Sequence, residues 1–336
     1  MDTILHKISH SNKMPVLFIG SGISKRYLWK YPNWNELLKL SFSQFCKDDF
    51  QFQKYVDTFK RQGFSDFEIN TALGTVIEKE YNIYTDKNIR NEGYKVNFIS
   101  DLHFGTTMSN NELQKYCDNI SQRNVDIVIL GGDIVDENTT LKQMKDAFKI
   151  LSSIKSNYGI VYVYGNHDKS RYAINPNYTE EELKEAISEC RIKILEDDIY
   201  EINNELCIIG RKDRSDSEER KSAQDLVSEF NKDYYTIIVD HQPCEINENS
   251  ENGYDLMVSG HTHFGQIWPL GHLMNLFKIN EMNYGYERVG NMDIIVSSGM
   301  GGWGYPIRTE KKCEYLIINI VKEINFGKGR SRLKIT

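Results

Sequence analysis

No CxxC pair occurs in this chain. Its six cysteines, Cys46, Cys117, Cys190, Cys207, Cys244 and Cys313, fall at spacings that suit neither a disulfide framework nor a zinc knuckle. Free thiols in a reducing compartment are the expectation that follows. A basic excess is also missing: 48 acidic residues stand against 41 Lys and Arg, a net charge of −7. Replacing counterions along a nucleic-acid backbone needs the opposite balance, so a nonspecific nucleic-acid binder is not expected. Long apolar runs are absent. Met14 to Ile19 is cut by Gly20-Ser21-Gly22 and then by Lys25 and Arg26, far short of the roughly 20 residues that cross a bilayer. No signal peptide or lipidation cue is read at the N-terminus, which gives a cytoplasmic expectation without a membrane span. Repeats and low-complexity tracts are lacking too. What is present is 336 residues, 40% hydrophobic and 12% aromatic, enough to core one large domain or two ordinary ones.

The chain changes character near residue 90. Val16 to Ile19 reads as a buried strand, and Pro32-Asn33-Trp34 as a helix start with Glu36 three residues after Asn33. Amphipathic helical spacing continues over 48–81, and the polar stretch 85–94 reads as a linker. Three divisions follow: 1–90, a core over 91–325, and a basic tail over 326–336. Within the core, short apolar runs alternate with helical segments at Leu113 to Gln122, Leu141 to Ser153 and Thr179 to Cys190, the last with Thr179 as cap and Glu182 in the capping box. Such alternation implies a sheet covered on both faces. Lys212 to Lys221 reads as a solvated charged stretch, and Leu270 to Arg288 as a loop over the site.

Five polar clusters each follow a β-rich run: Asp101-Leu102-His103, Gly131-Gly132-Asp133, Gly165-Asn166-His167-Asp168, His241, and Gly260-His261-Thr262-His263. Any one alone reads as well as a helix cap, a turn or a structural histidine. Strand ends converging on one edge of a sheet would bring all five together. The resulting set of carboxylates, imidazoles and one amide suits two divalent cations about 3.5–4 Å apart, which can clamp and hydrolyse a phosphate ester.

In order and spelling these clusters resemble the calcineurin-like metallophosphoesterases, whose pattern is DxH, GD, GNH[DE], a lone His and GHxH. The resemblance covers residues 95 to about 322. It implies a four-layer αββα sandwich of two mixed sheets, an α/β fold, with a small N-terminal segment. It implies Asp133 as a bridge between two metals, the first also held by Asp101, His103 and His263, the second by Asn166, His241 and His261. Imidazole with carboxylate suits Mn, Fe or Zn better than Mg or Ca; Mn is the first expectation, and Ni is a further possibility. It also implies that His167 protonates the leaving oxygen and that Asp168 orients the His167 ring. Gly260 to Gln266 is similar to the GHTHGGQ of a phosphodiesterase branch, with Phe264 in place of the first Gly of the pair. The glycines at 285, 299, 301, 302 and 304 and Pro306-Ile307-Arg308 match that branch's late segment. Phe264 and Arg308 are therefore substrate-binding candidates. The expected substrate is a phosphodiester of a small molecule or lipid head group. A monoesterase stays open as an alternative, and so does the oligomeric state.

Phe18-Ile19-Gly20-Ser21-Gly22-Ile23-Ser24 resembles the opening of a sirtuin-like domain, with Ser21 where Ala is usual. Gly20, Ser21 and Gly22 could hold phosphate on backbone N–H groups. The resemblance stops by about residue 80, so a truncated scaffold is expected. An NAD- or ADP-ribose-sensing module with a non-catalytic metal site is the alternative.

Overall fold

A computed structural model of the chain describes residues 76–105, 107–216, 220–266, 270–277, 279–303 and 312–323. The strands feed two cores at once. Along β2 (Tyr94–Ile99) and β3 (Ile127–Leu130) successive side chains point to opposite faces. Val96, Phe98, Ile127 and Ile129 enter one apolar cluster, and Ile99, Val128 and Leu130 enter another. A strand buried on both faces has no polar side, which is why β3 reads as an unbroken apolar run, while the buried Asn97 of β2 satisfies its amide by donating to the Leu316 carbonyl.

The first sheet has the order β1-β12-β2-β3-β4-β5, with β1 (Val76–Thr85), β12 (Cys313–Lys322), β4 (Ile160–Tyr162) and β5 (Lys193–Ile194). Its neighbours are parallel except β12 and β2. The second sheet runs β10-β11-β9-β8-β7-β6, with β10 (Gly285–Val289), β11 (Met292–Val296), β9 (Leu256–Ser259), β8 (Tyr235–Val239), β7 (Leu206–Gly210) and β6 (Asp198–Ile202). Antiparallel pairing is confined to its margins, β10 with β11 and β6 with β7.

Helices cover the outer faces. On the first sheet lie α1 (Asn110–Gln122), α2 (Leu141–Leu151) and α3 (Glu180–Glu189), whose Leu113, Met144, Phe148 and Leu183 pack with Val128 and Leu130. Each starts with a capping box: Ser109 with Glu112, Thr140 with Gln143, and Thr179 with Glu182. On the second sheet, Leu226 of α4 (Ala223–Val227) and Ile246 of α5 (Ile246–Glu251) pack with Ile238 and Met257. Between the sheets Phe98, Ile129 and Val161 meet Ile208, Ile237 and Val258. The four-layer αββα sandwich expected from the sequence is the architecture observed.

Several segments differ from expectation. Residues 76–81, expected to be helical, belong to β1, which pairs with β12 along its whole length, so the segment 85–94 connects strands of one sheet. The register places Tyr81 and Ile83 in the inter-sheet core, and that burial overrides the weak helical spacing. The expected loop 270–288 holds α6 (Leu270–Phe277) and most of β10. In the charged stretch 212–221 Asp213 is buried, and Arg220 pairs with the buried Asp240, so that stretch is not simply solvated. Gly20, Ser21, Gly22, Arg308 and the basic tail lie outside the described residues. No helix among the described residues is long and apolar enough to cross a membrane.

Phe98 tests the packing beneath the strand ends. Its ring is fully buried and occupies the space a Cβ on Gly131 would need. Phe98→Ala should cost about 3–5 kcal/mol of stability in urea denaturation. A loss below about 1 kcal/mol would contradict this packing.

Candidate metal centre

Because β2, β3 and β4 run parallel, as do β8 and β9, their C-terminal ends share an edge within each sheet. All five polar clusters sit just beyond those ends. The backbone turns sharply there. Asp101 (φ 52°), His103 (φ 44°), Asp133 (φ 52°), His261 (φ 71°) and His263 (φ 45°) all occupy the left-handed region. Asp and His tolerate that region better than most residues, but it remains strained. A strand could not present these side chains side by side, and the strained turns do. Glycine makes the room: a Cβ on Gly260 would collide with the Asp101 carboxylate, and one on Gly165 with the Asp133 carboxylate.

Two groups of ligand atoms result, Asp101 with His103 and His263, and Asp133 with His241 and His261, each within 4.8 Å of one another. In the first, His103 Nε2 faces His263 Nε2 at 3.1 Å, and His263 Nε2 lies 3.3 Å from Asp101 Oδ1. In the second, His241 Nε2 lies 3.1 Å from Asp133 Oδ2. Asp133 links them, since the same Oδ2 is 3.8 Å from His103 Nε2. Its other oxygen, Oδ1, accepts the His167 N–H at 2.8 Å. Oδ2 is therefore the atom turned toward both groups.

The donor set fits divalent cations on its own chemistry. His241 Nδ1 lies 2.8 Å from the Gly131 carbonyl, which can only accept, so the ring proton sits on Nδ1. Its buried Nε2 then turns a lone pair toward a carboxylate oxygen without a hydrogen bond. Two acceptors face to face require a cation between them, either an added proton or a metal. The buried Asn166 Oδ1 also lacks a partner, and a buried carbonyl in that state is costly unless it is ligated. The titration behaviour agrees. Burial works against a charge on His241, yet the facing Asp133 carboxylate pushes its pKa well above the usual histidine range. Burial, and then charge on His241, push His261 down to about 4, so its ring is uncharged at neutral pH, the state a metal ligand needs.

Around these atoms the structure shows residues that sequence reasoning missed. Asp136 Oδ2 sits 3.2 Å from His103 Nδ1, which fixes the proton there and turns Nε2 inward. Glu137 carboxylate oxygens lie 3.0 Å from His167 Nδ1. Both come three and four residues after Asp133 in the same loop, and that spacing was the available signal. Trp303 and Tyr172 flank the His167 ring at centroid distances of 5.6 and 5.2 Å. Gln266 holds Trp303 in place by pairing with both its carbonyl and its N–H.

The expected role of Asp168 is corrected. It does not orient the His167 ring, which faces Glu137. Its carboxylate accepts four backbone N–H groups: Asp133 and Gly165 on Oδ2 at 2.7 and 2.6 Å, and Ile134 and Val135 on Oδ1 at 2.8 and 3.1 Å. Asp168 clamps the two ligand loops together. Burial, and then the Asp133 charge, push its pKa up to about 7, against the amides that hold it down. Phe264 lines a cavity beside the ligands and stacks on Tyr284 at 5.5 Å and 7° between planes.

A two-sheet αββα core that gathers two His–carboxylate groups around one shared aspartate defines the class of binuclear-centre phosphoesterases. A model of the calcineurin-like phosphoesterases matches residues 94–265, and the chain belongs to that family. It is 32% identical over 234 residues to an uncharacterized metallophosphoesterase of Helicobacter pylori strain J99, covering 68% of this chain and 60% of that protein. It is 29% identical over 248 residues to another from Aquifex aeolicus, covering 72% of this chain and 90% of that one. The crystal structure of a dimetal phosphatase from Danio rerio superposes with a TM-score of 0.43 at 12% identity, over 65% of this chain and 89% of that one. The chain thus spans about three fifths of the length of the Helicobacter relative.

Asp168→Asn places an NH2 group against two backbone N–H donors in either amide orientation. It should cost at least about 3 kcal/mol in denaturant titration and lower the metal content; wild-type stability would show that the clamp is not needed. Asp136→Asn should weaken metal affinity by about 10–100-fold in chelator competition. Unchanged affinity would show that His103 is oriented by other means.

Proposed function

We propose that this chain is a metal-dependent hydrolase of phosphoesters, acting on phosphodiesters, with two divalent ions at the centre. The observation that carries the reading is the single Asp133 oxygen turned toward both His–carboxylate groups. Asp101, His103 and His263 would hold one ion, Asn166, His241 and His261 the other, and Asp133 would lie between. Such ions supply Lewis acidity toward the phosphoryl oxygens and lower the pKa of an attacking water. Manganese is the first candidate on this donor set, with Fe, Zn and Ni next.

His167 is the general acid in this reading. Its Nδ1 is engaged by Glu137, which leaves Nε2 as the atom able to pass a proton to the departing ester oxygen as the P–O bond breaks. Burial opposes its protonation, but the hydrogen bond to Glu137 and then the Asp133 charge raise its pKa, so the ring is charged when an acid is required. Asp168 acts by positioning: it clamps the loop that carries Asp133 to the loop that carries His167. The diester preference rests on the likeness of Gly260 to Gln266 to GHTHGGQ. The free thiols of all five described cysteines support a cytoplasmic location.

Metal-stripped protein assayed on a chromogenic phosphodiester should gain activity on adding Mn; inactivity with every divalent metal would refute the reading. Matched esters should show a diester preference in kcat/KM, and a tenfold preference for the monoester would reverse that part. Glu137→Gln should keep the metals and lower kcat by about 10–100-fold. It should also move the alkaline limb of the rate profile to lower pH. Glu137 raises the His167 pKa, so without it the acid loses its proton earlier as pH rises. An unshifted limb would remove His167 from the role of acid.

A further inference from the structure

A cavity of about 710 Å³ opens beside the metal centre. It begins next to two ligands, because Gln242 follows His241, Phe264 follows His263, and both line it. Its floor is tied to the ligand loop: Thr262 Oγ1, between His261 and His263, donates to the Asn283 carbonyl at 2.7 Å. The lining thus adjoins, along the chain, candidate ligands of both groups.

The polar lining is a chain of amides. Asn280 Nδ2 donates to Asn283 Oδ1 at 2.8 Å, and Asn283 Nδ2 donates to Asn275 Oδ1 at 2.7 Å. The buried Asn283 is thereby fixed, which leaves Asn275 Nδ2 as a donor and Asn280 Oδ1 as an acceptor at the two ends. Gln242 Nε2 is held by Asp213 at 3.1 and 3.2 Å, which leaves its Oε1 as an acceptor. Among the described residues the lining holds one cation, Arg214, against two carboxylates, Glu281 and Glu287. That balance disfavours a second phosphate or a nucleic-acid strand. Fixed amides that both donate and accept match hydroxyl groups, which do the same.

We propose that this cavity binds an uncharged polyol, a sugar or glycerol group esterified to the phosphate at the metal centre. The inference rests on the phosphoesterase reading and names its substrate class. Three p-nitrophenyl phosphodiesters with the same leaving group would test it, carrying glyceryl, glucosyl or ethyl as the other ester arm. With the Mn-loaded full chain, kcat/KM for a polyol ester should exceed that for the ethyl ester by at least about tenfold, chiefly through KM. The ratio should fall toward one in Asn275→Leu and Asn280→Leu. Equal kcat/KM in the wild type, or an unchanged ratio in both variants, would overturn the proposal. If no ester is turned over, the phosphoesterase reading fails instead. Saturation-transfer NMR with glycerol 1-phosphate then decides for the cavity: a glycerol signal that disappears in Asn280→Leu supports it, and no signal in the wild type overturns it. Where the glyceryl ester is the preferred one, hydrolysis of soluble glycerophosphoglycerol, or of phosphatidylglycerol in vesicles, would tell a free metabolite from a lipid head group; release from neither overturns the assignment of glycerol.

Discussion

Two fully buried carboxylates, Asp101 and Asp133, stand at the edge where the two sheets meet. Buried anions are tolerated only when cations or donors compensate them, and the surrounding structure answers that need. Asp133 is held well below the usual carboxylate range: burial is the largest single influence and would raise it, but His241, His167 and His103 together outweigh the burial. Asp101 goes the other way, raised by burial despite the nearby His241. A site that pulls protons onto His103, His241 and the Asp101 carboxylate is short of positive charge. Metal ions would relieve that shortage, and His241 Nε2 and Asn166 Oδ1 are buried without a hydrogen-bond partner.

This requirement explains the strain. Five of the candidate ligand residues accept left-handed backbone, so that side chains from four strand ends gather into two groups, each within 4.8 Å. The clamp at Asp168 and the capped helices beneath hold those turns rigidly. The core under them, with Phe98 against Gly131, supplies a base that cannot yield easily.

Much of this was legible in the sequence because the same chemistry that makes the site makes the pattern. Short apolar runs just before each polar cluster mark strands buried on both faces, and the one before Gly131-Gly132-Asp133, residues 127–130, is β3. What escaped was set by contacts between distant segments. β1 shows weak helical spacing, and its strand character comes from pairing with β12, more than two hundred residues away. Proximity in the chain points His167 to its neighbour Asp168, whereas the fold brings Glu137 across from another loop. Arg220 reads as surface charge and is instead paired to Asp240, the residue before a metal ligand. The cavity lining was invisible for the same reason: it sets Arg214 and Gln242 together with Phe264 and the asparagines at 275, 280 and 283.

The central claim is a pair of ions joined by one aspartate oxygen. Crystals grown with manganese and measured at an anomalous wavelength test it directly. The account predicts two peaks flanking Asp133 Oδ2, roughly 3.5–4 Å apart, one among Asp101, His103 and His263 and the other among Asn166, His241 and His261. A single peak, or ions bound away from Asp133, would contradict it.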